Sequence, residues 1–137
     1  DDLHPPDHIS FNSCLKAWSN SNHPEALTKC TALMKRLQEL KLFRRERWLA
    51  PNTNTYYHLI DAHIKRGKLS EAASLYLEMV AAPRTDAVHH KLLDQLCFAL
   101  AKSSAKEYPN APEQILRLMD DIQITAQKNG KGSVRLD

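Results

Sequence analysis

Four cations and two aromatics crowd into one short stretch, KLFRRERW, where Lys41, Arg44, Arg45 and Arg47 stand beside Phe43 and Trp48. Such a mixture suits a single nucleic-acid strand, with ammonium and guanidinium groups for its phosphates and ring faces for its bases. The same residues also suit a solvated helix end, where cations favour the dipole and rings pack on neighbours. Other chemistries are poorly provided for. The seven histidines contain no HExxH pair, and His58 and His63 are splayed around a helix, so no zinc site is expected. Gly130-Lys131-Gly132-Ser133 lacks the leading glycine and the Lys-Ser order of a phosphate loop, and no Gly-x-Ser-x-Gly elbow occurs. Without a nucleophile–base arrangement or a carboxylate pair in a catalytic setting, the chain is expected not to be an enzyme. Neither cofactor nor small-molecule substrate is implied.

The element that must position any binding residues is the hairpin from Thr53 to Ala82. Tyr56, Ile60 and His63 recur at helical steps on one face, with Leu59 beside them. Lys65 and Arg66 then precede Gly67, a stop signal in which cations meet the negative end of the helix dipole and glycine takes the left-handed conformation. Leu69, Ala72, Leu75, Tyr76 and Met79 form the apolar face of a second helix. The same template lies over both flanks. Phe11, Leu15 and Trp18 match Tyr56, Ile60 and His63, and so do His89, Leu93 and Leu96. Cys30, Leu33, Met34 and Leu37 match Ala72, Leu75, Tyr76 and Met79, as do Ile115, Leu118, Met119 and Ile122. The anchors recur roughly forty residues apart, a period of stacked helical repeats.

PDHISFNSCLKAW and APNTNTYYHLIDAHIKRGKLSEAASLYLEMV resemble the pentatricopeptide repeat, whose wording is close to P-D-x-x-T-Y-N-x-L-I, a G-x-x-x-E-A turn and L-x-x-x-M. The second repeat is the strongest match, with Pro51, Asn52, Thr55, Tyr56, Leu59, Ile60, Gly67, Leu69, Glu71, Ala72 and Met79 in place. The first keeps Pro6, Asp7, Ser10, Phe11 and Asn12; the third keeps only the apolar spacing. The resemblance implies single-stranded RNA binding along a concave face, one base per repeat, in organellar RNA processing, stability or translation. A residue in the first turn of each first helix reads the base together with the last residue of the repeat. Carried across, the first repeat offers Asn12 with Asn52, the second Tyr57 with Asp86 or Thr85, and the third His90. Tyr57 and His90 depart from the usual Asn, Thr or Ser, which favours stacking or backbone contact over sequence reading. Arg44, Arg45, Lys65 and Arg66 are the candidate phosphate contacts. The alternative is a protein-binding scaffold or structural subunit of a larger organellar complex, in keeping with the altered reading residues and the insertions.

The chain has 137 residues, a net charge of +3, 42% hydrophobic residues and a mean hydropathy of −0.51. It is expected to form one all-α domain of antiparallel hairpins over residues 7–51, 52–85 and 86–127, with a polar tail at 128–137, and the resemblance implies that the hairpins wind as a right-handed superhelical solenoid. Leu15, Trp18, Ile60, Leu75, Met79, Leu93 and Leu118 are expected to be buried. Pro24 is read as the first position of the second helix, behind Asn22 or His23 as cap, and Asp86 as the cap of the fifth. Cys14, Cys30 and Cys97 form no close-spaced pair and read as buried free thiols. No apolar run approaches the length needed to span a bilayer. The start at Asp1-Asp2 reads as that of a fragment or processed product, and a mitochondrial or plastid location is implied by the family alone.

Overall fold

Asn52 and Thr55 start the central helix by satisfying one another. The Asn52 side-chain oxygen accepts from the Thr55 backbone N–H at 3.0 Å, and the Thr55 hydroxyl accepts from the Asn52 N–H at 3.1 Å, a complete capping box. The same helix ends thirteen residues long at Lys65 and is closed by Gly67 with φ +74°, where the Lys68 and Gly67 N–H groups reach back to the carbonyls of His63 and Ile64. This paired closure is what the left-handed glycine permits.

The computed structural model describes residues 8–44, 51–82, 85, 90–103, 106 and 108–130, and among them the protein is all-α. The helices are α1 His8–Asn20, α2 Ala26–Arg44, α3 Thr53–Lys65, α4 Leu69–Ala81, α5 His90–Lys102 and α6 Ala111–Lys128. Each helix packs on its neighbour in sequence within the pairs α1/α2, α3/α4 and α5/α6. The first helices of the pairs also lie side by side, α1 on α3 and α3 on α5, while α4 packs on α6. One main core runs through all six helices, from Leu15 and Met34 through Ile60, Tyr76 and Met79 to Leu96 and Ile122; Phe11 and Leu37 form a smaller cluster at the α1/α2 end.

Leu15, Ile60, Met79, Leu93 and Leu118 are buried as the helical spacing implies. Trp18 and Leu75 are not: both are half-buried, packed on the edge of the core. Leu75 stands on the wall of an open cleft of about 560 Å³ between α2 and α4, floored by Leu59 and His63. Its next neighbour, Tyr76, takes the fully buried place. Trp18 sits at the end of α1 with its ring edge-on to His23, centroids 5.5 Å apart. Pro24 and Glu25 form a turn ahead of α2 instead of opening it, because the His23 ring nitrogen and carbonyl accept the Glu25 and Ala26 N–H groups at 3.1 Å. The cysteines divide. Cys30 is buried and Cys97 half-buried, and burial pushes both thiols up, Asp94 adding to the effect at Cys97, whereas Cys14 is exposed. The Asp86 cap lies outside the described residues.

α4 has no side-chain cap of its own at Lys68. Tyr108, from the segment ahead of α6, substitutes for it: its hydroxyl accepts the Leu69 N–H at 3.2 Å and donates to the Gly67 carbonyl at 3.3 Å. A residue of the third hairpin thus closes the turn of the second.

Candidate nucleic-acid interface

α1 and α3 run in the same direction, and their facing residues bond at both ends. At the N-terminal end, the Asn12 amide donates to Asn52 Oδ1 at 3.2 Å while the Thr55 hydroxyl donates to Asn12 Oδ1 at 2.6 Å. Asn12 is 8% exposed and Thr55 fully buried. The expectation of an open, base-reading Asn12 is therefore corrected. Asn12 and Asn52 do come together, but their polar atoms hold the start of α3 against α1, since a buried amide must find partners.

At the C-terminal end Arg66 makes the larger departure from expectation. Its guanidinium donates to the carbonyls of Trp18 (3.3 Å), Ser19 (3.3 Å), Ser21 (2.8 Å) and Ala62 (3.0 Å). The last carbonyls of a helix have no partner within it, and α1 has no basic residue in its last turn. Ser21 turns its N–H and hydroxyl back to the Trp18 carbonyl, and Arg66 adds further donors from the neighbouring helix, so it is half-buried and committed to the protein. Ser19, 2% exposed, donates to Asp61 at 3.2 Å, and Lys65 bridges Asp61 and Asn20 at 2.8 Å each. The Lys65 side chain remains 44% exposed. An ion pair at that exposure holds weakly and can be exchanged for a phosphate.

Ser19, Asn20, Ser21, His23, Lys65, Arg66 and Lys68 surround an open cleft of about 640 Å³ at this end. Further along the outward side of α3, Tyr57 is half-buried with its ring edge-on to His58, centroids 5.5 Å apart. Burial, followed by the charge of Lys16, holds His58 below the usual histidine range; Asp61 opposes and Lys65 reinforces this. His58 is consequently an aromatic, uncharged neighbour of Tyr57 at neutral pH. Burial also pushes the Tyr56 phenol up to about 12. His63 is buried with its Nδ1 2.8 Å from the Leu59 carbonyl.

His90 is exposed at the first turn of α5, in a setting unlike that of Asn12 or Tyr57. Thr85, the alternative to Asp86, turns its hydroxyl back to the carbonyls of Met79 and Ala82 and closes α4. Arg44 belongs to the last turn of α2, but its side chain, with Arg45 and the rest of the basic stretch, lies outside the described residues. Among the described residues no three His, Cys, Asp or Glu side chains gather as a metal site. No described helix is long and apolar enough to cross a membrane.

Two roles, the capping role of Asn52 and the exposure of Phe98, were missed from sequence and had readable signals. Asn52 precedes Thr55 by three residues, a capping-box spacing with threonine in place of the usual Glu or Gln. Phe98 is a large apolar residue on the polar side of α5's helical pattern, and it is 65% exposed. Comparison with family models, with curated proteins and with solved structures finds no match to this chain.

Proposed function

We propose that this chain is a pentatricopeptide-like helical-repeat module, wound as a right-handed solenoid, that binds single-stranded RNA across the outward side of α1, α3 and α5. The observation that carries the reading is the parallel packing of α1 on α3, bonded end to end from Asn12–Asn52 to Asn20–Lys65. α3 packs on both α1 and α5, and a row of first helices is what a strand reader of one contact per repeat requires. Since Asn12, Asn52 and Arg66 are spent on the protein itself, binding works through stacking on Tyr57 and His58 and phosphate contact at Lys65, not through an amide code. Action in organellar RNA processing, stability or translation follows from the resemblance.

The test is a titration with a mixed-sequence single-stranded RNA over a range of salt. Each phosphate contact contributes about 0.7 to the slope of log affinity against log salt, so Lys65→Ala should flatten it by about that amount. Adding Tyr57→Ala, Arg44→Ala and Arg45→Ala should abolish binding. Absence of salt-sensitive binding by the parent at low ionic strength would defeat the reading.

A second reading, a protein-docking scaffold, is favoured by the cleft between α2 and α4. That cleft combines an apolar lining from Met34, Leu59 and Leu75 with Lys35, Glu71 and Glu78 around it. Such a mixture suits a peptide segment better than a polyanion.

A further inference from the structure

Leu92, Leu96 and Leu100 form the buried row of α5, at 0, 0 and 3% exposure. Phe98 lies half a turn away from that row, because its position falls about 200° beyond Leu96 at 100° per residue. Its ring is 65% exposed. A phenylalanine so placed buries little surface on folding, so the fold gains little from it. One turn on, the Lys102 ammonium sits 5.1 Å from the Phe98 ring centroid, a cation–π pair at four-residue spacing. Exposed Lys91 lies on the same side two turns earlier, with Asp94 between.

We propose that Phe98 and Lys102 form a subsite for one unpaired nucleobase and its phosphate. The proposal rests on the RNA reading above. Lys102 covers one face of the ring and leaves the other for a base to stack on. The phosphate goes to the Lys102 end, because at the opposite end Asp94 would repel it. The repeat register supports the placement. Phe98 occupies on α5 the place that Lys65 holds on α3 and Asn20 on α1, so a strand leaving the Lys65 cation next meets the Phe98 ring. Flanking cations select a polyanion as the occupant over an apolar peptide.

The experiment is fluorescence anisotropy of a labelled, mixed-sequence single-stranded RNA with the whole chain, parent and variants. Phe98→Ala should raise Kd about 5- to 150-fold, the range of one lost base–aromatic stack, without lowering the melting temperature. Phe98→Trp should bind as tightly as the parent or tighter, and Phe98→Leu should behave like Phe98→Ala because leucine is apolar but offers no ring. Lys102→Ala should flatten the salt slope by about 0.7. A parent that binds while Phe98→Ala stays within about twofold of it overturns the subsite alone. So does a Phe98→Leu variant that binds like the parent, which would mark an apolar docking point. A parent that binds no RNA overturns both the subsite and the functional reading.

Discussion

The junction of α1 with α3 and the corresponding side of α3 itself use equivalent helical positions, with different chemistry. Where α1 places Asn12 and Ser19, α3 places Tyr57 and Ile64. The first pair is buried and hydrogen-bonded across to α3; the second is half-buried against the core. Hydrogen bonds demand a distance and an angle, whereas apolar contact is non-directional. Polar partners therefore fix the register of α1 on α3, whereas Tyr57 and Ile64 also pack by shape against the core. One helical position can thus latch helices together or pack by apolar contact, depending on its side chain.

The sharpest way to break the latch is Arg66→Ala. It removes charge-assisted donors from four carbonyls at once, and should cost about 2–4 kcal/mol in urea unfolding. Arg66→Lys should recover only part of this, because an ammonium cannot span the same fork of acceptors. A loss under about 0.5 kcal/mol would mean that water replaces the guanidinium without penalty.

A double-mutant cycle on Asn12→Ala and Thr55→Ala measures the other end. The two side chains share a buried hydrogen bond, so a coupling of about 1–2 kcal/mol is expected. Additive losses would show that the contact does not hold the register. On the apolar side, Ile64→Val should cost about 0.5 kcal/mol and show no salt dependence, since only a half-buried methylene is lost.

The smallest effect concerns pH. His58 titrates below its ordinary value of 6.5 in the folded chain. As pH falls through the ordinary histidine range, the unfolded chain gains a proton that the folded chain resists. The stability contributed above that range is lost on acidification. His58→Gln should flatten the acid limb of the stability curve, and proton NMR of the imidazole should place its midpoint below that of an exposed histidine. A midpoint at or above the ordinary value would mean that Lys16 and burial do not act on it.

Apolar spacing made the six helices legible, and Lys65-Arg66-Gly67 made the closure of α3 legible, because both signals are local. The roles of Asn12 and Arg66 were not. Nothing next to Arg66 in sequence announces that it will meet the end of α1; those acceptors lie more than forty residues away. The exposure of Leu75 was hidden for a related reason. Helical period assigns a residue to a face but does not say whether the neighbouring helix closes on it, and here α2 and α4 leave a cleft.

What the sequence determined by itself was the all-helical character, the apolar face of each helix and the glycine turn, since backbone propensity and hydrophobic period act within a few residues. What only the tertiary structure decided was which polar side chains are free. Asn12, Asn52 and Arg66 look like ligand contacts until α1 and α3 lie parallel. A buried carbonyl or amide must then be satisfied by whatever donor or acceptor packing brings to it.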